Sequence, residues 1–322
     1  MSVLGRRSLV YLGPDLGTMP SEAILLDDLA VGTEPSPTGD VAVDAAAIKE
    51  VLDVSGLFAP RGPDTVGWAH QTYAEFLAAR FLLRRGLSTD QILREVRSLT
   101  MKRTVPALQE TAAWLASLDP GVFQRLLLED PEPLLGSDFA MVGAAEREAL
   151  VAALLRKIDQ KELPATSLLY RRATHTRLDH PRLAEQLRPY VADRNRYVMA
   201  RRAAIDLAEG CKLKALEDPL ADVALDPNEV MDIRVHAAQV VAKIGSRETK
   251  RRLKPLLFGH LGPDLDDYLK GCALQALWPD DLTPDELFAH LTPPKNEFHG
   301  GPYASFLYTF DRDFQLGYLP KR

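Results

Sequence analysis

Apolar and polar positions divide the chain into a short mixed segment and a long helical one. In the first 67 residues, brief apolar runs such as SLVYL and TVGWAH alternate with turn-rich clusters such as GTEPSPTGD and APRGPD, as expected for short strands and helices joined by turns. From about residue 72 onward, apolar residues recur at the 3.6-residue spacing of amphipathic helices. The pattern predicts a mainly α protein in which a small α/β unit precedes a long helical region.

The small unit has the element order of a winged helix. Asp44 is placed to cap a helix that ends near Gly56, because Asp accepts hydrogen bonds from the first N–H groups of a helix and Gly readily ends one. Residues 57–70 then predict a hairpin with a Gly-Pro-Asp turn, and another helix follows. Helix, hairpin and helix in this order predict a winged-helix-like domain.

The later helices repeat at a spacing of 34 and 35 residues. Three segments align on pairs of small residues, which are Ala203-Ala204, Ala237-Ala238 and Cys272-Ala273. Periods of this length are typical of α-solenoids, in which each unit buries its apolar face against the next. The segments resemble the second helix of HEAT-type repeats. We therefore expect residues 171–291 to form stacked antiparallel helix pairs, with Ala204, Ala238 and Ala273 buried.

These patterns predict three segments. Residues 1–86 form a degenerate winged-helix-like domain, residues 87–170 a helical linker region, and residues 171–322 a HEAT-like α-solenoid. Prolines at the first helical position, as in Asp119-Pro120 and Asp130-Pro131, mark the starts of short helices in the linker.

The C-terminal end carries an apolar stripe. Five residues lie at helical spacing there: Tyr303, Phe306, Leu307, Phe310 and Phe314. A solenoid normally ends in a polar capping helix, but little polar sequence follows this stripe. Because Phe288 and Leu291 offer only a short apolar surface nearby, we expect at least two of the five residues to be exposed and to be covered by something outside this chain.

Composition indicates a soluble, cytoplasmic globular protein. Of the 322 residues, 46% are hydrophobic and 26% are charged, and the mean hydropathy is -0.14. No apolar run approaches the roughly 18 residues of a membrane span, and Gly13 interrupts the N-terminal apolar stretch too early for a signal peptide. The two cysteines, Cys211 and Cys272, lack CxxC spacing and are interpreted as small core residues.

Charge and motifs exclude several kinds of site. A net charge of -6 argues against a nucleic-acid-binding surface, which requires clustered Lys and Arg. The sequence contains no GxxxxGK[ST], HExxH or GxSxG motif. His175 and His180, with Asp179 between them, are interpreted as a solvated helix connection. We expect no catalytic residue, no metal site and no enzymatic activity of the chain's own.

The most informative segment is WAHQTYAEFLAARFLLRRG, residues 68–86. It predicts a helix with an apolar stripe that begins at Tyr73 and Phe76, and Ala78 and Ala79 allow a second helix to approach closely. His70 stands at the start of this helix, where an imidazole can cap the helix or face an anion.

This segment resembles the junction that closes the winged-helix domain of NACHT-type STAND ATPases, the class that includes NOD-like receptors and bacterial antiviral relatives. The matching positions are Trp68, His70, Thr72, Tyr73, Glu75, Phe76, Ala78 and Ala79. The resemblance implies that His70 contacts the phosphates of ADP when an ATPase core is present. The alternative is that His70 only caps the helix or packs beside Trp68, and both interpretations stay open.

The chain departs from that family because the ATPase core, with its Walker A and Walker B motifs, is absent from it. It is then either a fragment of a longer protein or the product of a split gene, and ATP or ADP is bound only through a missing or partner NACHT module. The resemblance implies a non-catalytic regulatory and sensor arm, in signal transduction or antiviral defence, that acts through protein–protein contact. Oligomerisation is left open. The alternatives are a free-standing HEAT-like scaffold without a nucleotide role and a helical enzyme with an unrecognised site.

Overall fold

A computed structural model of the chain describes residues 9–13, 15–37, 39–98, 100, 103–136, 143–169, 172–295 and 300–315. The chain divides into two compact units, residues 1–141 and residues 142–322, and each is described by itself. The predicted fold class is confirmed, since the protein is mainly helical with a small mixed sheet followed by a helical stack. The finer division at residues 86 and 170 stays a prediction.

The first unit contains both sheets and the first six α-helices of the described ranges. Its strands are β1 Leu9–Tyr11, β2 Ala23–Leu25, β3 Thr33–Ser36, β4 Gly39–Ala42, β5 Phe58–Gly62 and β6 Thr65–Trp68. Its helices are α1 Leu26–Leu29, α2 Ala45–Val54, α3 Gln71–Arg84, α4 Thr89–Val96, α5 Gln109–Leu118 and α6 Pro120–Glu129.

One sheet has the strand order β2-β1-β6-β5. Strand β1 runs parallel to β2 and antiparallel to β6, and β5 and β6 form the predicted hairpin. Its turn uses the expected Gly-Pro-Asp residues, with Asp64 at a φ of 49°, a left-handed conformation that Asp tolerates. Strands β3 and β4 form a separate antiparallel pair.

Helix α2 begins and ends where the sequence predicts. The Asp44 side chain accepts a hydrogen bond of 2.8 Å from the backbone N–H of Ala47, which satisfies one of the unpaired donors at the start of the helix. Gly56, just beyond the end of the helix, has a φ of 68°, a conformation that favours glycine.

Helix α3 packs against α5. Ala79 is fully buried, and the ring of Phe76 meets the ring of Trp114 on α5 edge to face, with 5.0 Å between centroids. Tyr73 and Phe81, which the apolar spacing places on the same stripe, are 42% and 41% exposed. The buried face is centred on Ala79 instead, because a small side chain allows the second helix to approach.

The second unit is a stack of helices. They are α7 Ala144–Asp159, α8 Thr166–Leu169, α9 Leu183–Ala192, α10 Val198–Gly210, α11 Glu217–Leu225, α12 Met231–Ile244, α13 Arg247–Arg252, α14 Tyr268–Leu277, α15 Pro284–His290 and α16 Pro302–Gln315. One row of contacts runs from α7 through α10, α12 and α14 to α16, and a second row runs from α9 through α11 to α13. Each helix in the middle of a row therefore contacts its equivalents in the neighbouring repeats, which is the contact pattern of a solenoid.

The small pairs lie at equivalent buried positions of this stack, as predicted. Ala204, Ala238 and Ala273 have no exposed surface, and they lie on α10, α12 and α14, which contact one another in order. Small side chains at these positions allow the helix axes to approach closely. This feature of the solenoid prediction is confirmed.

A buried arginine joins the two helices of a pair in two successive repeats. Arg201 on α10 donates to the carbonyl of Val191 in the last turn of α9, at 3.1 Å. Arg234 on α12 donates to the carbonyl of Ala224 in the last turn of α11, at 3.2 Å. Each bond spans ten residues and satisfies a carbonyl that the helix end would otherwise leave unpaired.

Ion pairs also connect neighbouring repeats along the surface. The pairs Lys243 with Glu209, Arg252 with Asp218, Arg247 with Asp281, and Lys254 with Glu286 join residues 32 to 34 positions apart. The spacing matches the sequence repeat. Because most of these side chains are partly exposed, each pair contributes only about 0–1 kcal/mol.

The prediction for the C-terminal stripe was wrong. Tyr303 and Phe306 on α16 are buried, at 1% and 6% exposure, and Leu307 and Phe310 are half-buried. The side chain of Phe314 lies outside the described residues. The stripe packs mainly against α14, and Phe310 also meets the ring of Phe288 on α15 edge to face, so the chain itself covers most of it.

Gly271 on α14 makes this close packing possible. A Cβ atom at this position would lie 2.1 Å from the backbone nitrogen of Tyr303, so any side chain must displace the start of α16. We expect Gly271→Ala to lower the free energy of unfolding by about 1–3 kcal/mol. Urea denaturation measures the loss, with Gly300→Ala as the control, because a Cβ atom at Gly300 meets nothing within 4 Å. Equal stability of the two variants would contradict this packing.

Candidate functional site

The junction between β6 and α3 is the candidate site. The ring of Trp68, at the end of β6, stacks on Phe58 of β5 with 4.5 Å between centroids. The guanidinium of Arg61 donates to the carbonyl of Trp68 and, at 3.3 Å, to the carbonyl of Ala69. The backbone N–H of Ala69 donates to the carbonyl of Leu57 at 2.8 Å. These contacts hold the backbone directly before His70 in place.

His70 is the N-cap residue of α3. Its backbone is extended, with φ at -139° and ψ at 139°, and its Nδ1 accepts a hydrogen bond of 3.2 Å from the backbone N–H of Thr72. A ring nitrogen that accepts a hydrogen bond carries no proton, so the N–H of the neutral imidazole is on Nε2. The side chain is exposed, and within the described ranges Nε2 has no hydrogen-bond partner. His70 therefore keeps one donor for a ligand while it caps the helix.

The surroundings of His70 are partly aromatic and partly acidic. The ring of Tyr73 meets the imidazole edge to face, with 6.2 Å between centroids. Burial raises the pKa of Glu75 above its usual range, and the nearby Glu110 raises it further, while a hydrogen bond from Gln71 acts in the opposite direction.

The motif positions separate into two groups. Trp68, His70, Thr72 and Tyr73 lie at the junction, where His70 and Tyr73 are exposed. Phe76 and Ala79 pack α3 against α5. The first group of motif residues thus forms the capping site, and the second group holds α3 in place. The positive end of the α3 helix dipole lies at the capping site.

The histidine pair at residues 175 and 180 does not form a solvated connection, so that interpretation was wrong. His175 and His180 are 1% and 6% exposed. The Nε2 of His175 bonds to the carbonyl of Leu168 at 2.9 Å, and the Nε2 of His180 bonds to the Oε1 of Gln186 at 3.0 Å. The two rings pair with different elements, and both act as packing residues of the second unit.

Neither the two cysteines nor any cluster of metal-binding side chains adds a reactive site to the described residues. Burial raises the pKa of the Cys211 thiol to about 12 and raises that of the Cys272 thiol as well, so neither thiol forms a reactive thiolate readily. Among the described residues, no group of three or more His, Cys, Asp or Glu side chains is arranged to hold a metal ion. No helix in the described ranges has both the length and the apolar character to cross a bilayer.

Sequence reasoning missed an apolar groove next to the junction. Trp68 forms part of its wall, together with Phe58 and with residues of β1, β2, β4 and α2. These residues are widely separated in the chain, and each run is too short to show periodicity. Only the pairing of β6 with β1 brings them to one surface.

Comparisons with known proteins found no match to a family model, to a curated protein or to a solved structure. The resemblance to the NACHT-type junction therefore depends on residues 68–79 themselves.

Proposed function

We propose that the chain is a non-catalytic regulatory and sensor arm of a NACHT-type STAND ATPase, which acts by protein–protein contact in signal transduction or antiviral defence. The observation that carries the proposal is the capping geometry of His70 within the motif of residues 68–79. The Nδ1 atom is used by the helix, and the exposed imidazole keeps an Nε2–H donor for an anion. The helical stack in residues 142–322 supports the sensor part of the proposal.

In this proposal His70 contacts the phosphates of ADP that is bound to a separate ATPase module. The helix holds the imidazole through Thr72, so its second nitrogen is oriented before the ligand arrives. A hydrogen bond from Nε2–H to a charged phosphate oxygen contributes about 1.5–3 kcal/mol. The N-terminal end of α3 adds a favourable field for the same anion. Loss of this contact on nucleotide exchange would release the arm from the module.

A second candidate function is a free-standing HEAT-like scaffold without a nucleotide role. One observation favours it: the hydrogen bond from Thr72 to His70 gives the histidine a structural role that needs no ligand. The two candidate functions differ at the Nε2 atom of His70. The regulatory arm requires Nε2–H to donate to a phosphate, whereas a scaffold requires only that Nδ1 caps the helix.

Three substitutions at His70 test this difference. Asn and Asp are good N-cap residues, whereas Ala is not. We expect His70→Asn to keep the stability of the chain and His70→Ala to lose about 1 kcal/mol. In a complex with the ATPase module, His70→Ala and His70→Asp should both release ADP at least about tenfold faster. Stopped-flow displacement of a fluorescent ADP measures this rate.

The control is Ser88→Ala, which removes the cap of α4 because the Ser88 hydroxyl no longer accepts from the backbone N–H of Gln91, and it should leave ADP release unchanged. Unchanged release from an intact complex with His70→Asp would refute the nucleotide role and leave the scaffold function. The isolated chain should neither hydrolyse ATP nor bind ADP with micromolar affinity, and calorimetry checks this expectation.

A further inference from the structure

An apolar groove of about 360 Å³ lies in the first unit. It is bordered by the four-stranded sheet, by α2 and by the hairpin of β3 and β4. Among the described residues that line it, Glu34 alone carries a charge. A surface concavity of this composition takes up apolar side chains, because burying them removes apolar area from water.

The groove combines a buried floor with an exposed edge. Ile24 and Leu52 at its floor are 4% and 7% exposed, whereas Val41 and Val51 at its edge are each 51% exposed. Next to the groove in sequence, Val54 is 77% exposed. Apolar side chains that are grouped and exposed in this way are typical of interaction sites.

The segment that forms the groove, residues 9–68, is strongly acidic. Residues 9–68 contain ten carboxylate residues and only two cationic ones, Lys49 and Arg61. The ten are Asp15, Glu22, Asp27, Asp28, Glu34, Asp40, Asp44, Glu50, Asp53 and Asp64. All ten are exposed, and none forms an ion pair with another described residue. The guanidinium of Arg61 is already engaged by the carbonyls of Trp68 and Ala69.

Several of these carboxylates line the groove or stand next in sequence to a residue that lines it. Glu34 lines it, Asp40 precedes the lining residue Val41, and Glu50 and Asp53 flank Val51 and Leu52 on α2. Negative charge therefore lies next to the apolar surface. A ligand that fills the groove must supply apolar side chains for the centre and positive charge for the rim.

We propose that this groove binds a basic amphipathic segment of a protein partner, with apolar residues on one face and Lys or Arg beside them. A helix with anchors at i, i+3, i+4 and i+7 meets both requirements. The charge of the rim disfavours nucleic acid and anionic lipid, because both would bring further negative charge. It also disfavours a second copy of this chain, since two such grooves placed face to face would oppose their carboxylates. The interaction does not depend on the proposed nucleotide role.

Trp68 provides a probe, because its ring lines the groove. Two model helical peptides of about 14 residues share the same leucine anchors, and one carries Lys and the other Glu at the remaining positions. Added to the full chain, the Lys peptide should change the tryptophan emission saturably. Its affinity should fall about tenfold between roughly 0.05 and 0.5 M salt, and the Glu peptide should bind at least about tenfold more weakly.

Two substitutions locate the binding. Val51→Lys places a cation in the exposed apolar edge and should abolish binding of the Lys peptide. Leu128→Lys is the matched control, since Leu128 is 61% exposed on α6 of the same unit, and it should bind as the unmodified chain does. Trp68→Phe should remove the emission change, while calorimetry still detects the peptide. Circular dichroism verifies that all three variants are folded.

Several results would overturn the proposal. These are equal affinity for the Lys and Glu peptides, unchanged binding by Val51→Lys, and an emission change that persists in Trp68→Phe. A reversible dimer of the unmodified chain that Val51→Lys dissociates in sedimentation velocity would assign the groove to a second copy instead.

Discussion

A chain that ends at residue 300 is expected to lose about 5 kcal/mol or more of unfolding free energy and to aggregate. The deletion removes Tyr303 and Phe306, which are 1% and 6% exposed, and replacing one buried aromatic residue by Ala typically costs about 3–5 kcal/mol. It also exposes the face of α14 that these residues cover. Urea denaturation measures the stability, and light scattering detects aggregation.

Specific polar contacts add to this loss. The hydroxyl of Tyr303 donates to the carbonyl of Thr292 at 2.6 Å and accepts from its N–H at 2.9 Å. The ammonium group of Lys270, on α14, lies 4.4 Å from the centre of the Tyr303 ring, and Gln275 donates to the carbonyl of Pro302 at 2.8 Å. Without α16, the buried Lys270 would lose its aromatic partner.

The matched control for the deletion is Tyr308→Ala, because Tyr308 lies on the same helix and is 73% exposed. It should change the stability by no more than about 0.5 kcal/mol. A shortened chain as stable and as soluble as the full one would show that the stripe of α16 belongs to an external contact.

Replacing Arg201 by Met is expected to destabilise the protein by about 3–5 kcal/mol. Arg201 and Glu229 form an ion pair of 2.6 Å in which both side chains are 2% exposed. The substitution leaves the Glu229 carboxylate buried without its counter-charge. It also removes the donor to the carbonyl of Val191.

The double variant with Glu229→Gln should recover part of this loss, because the carboxylate that Arg201 balanced is then no longer charged. Arg202→Met is the control, since Arg202 follows on the same helix and pairs with Asp232 where both side chains are partly exposed. That variant should lose at most about 1 kcal/mol. If Arg201→Met and Arg202→Met lose the same amount, the buried pair is not a stabilising element. Urea denaturation of the unmodified chain, of Arg201→Met, of Glu229→Gln and of the double variant measures the coupling.

The stack of helices could be predicted because its determinants recur in the sequence. The pairs that contain Ala204, Ala238 and Ala273 return every 34 or 35 residues, and their burial depends only on the faces of neighbouring helices. The packing of the C-terminal stripe on α16 against α14 could not be predicted in the same way. It depends on a glycine at position 271, whose missing side chain allows α16 to approach, and an isolated glycine within a helical pattern does not reveal its partner.

The candidate site was predictable in its sequence but not in its geometry. The motif around His70 is continuous and could be recognised without a structure. The Nδ1 atom of His70 can cap α3 only in the backbone conformation that His70 adopts. The contacts of Trp68 and Ala69 with the hairpin determine that conformation. The groove beside it brings together residues that are distant in sequence, so only the pairing of the strands reveals it.

The two kinds of contact between repeats give the stack an uneven mechanical stiffness. Pairs such as Arg252 with Asp218 join long side chains near the surface, and these can lengthen or exchange partners with little change in energy. The small buried pairs, in contrast, hold helix against helix without free volume to compress. When the stack bends, the distances across the surface ion pairs should therefore change. The distances between helices at the small buried residues should stay nearly constant. We therefore expect the second unit to bend while it keeps its length.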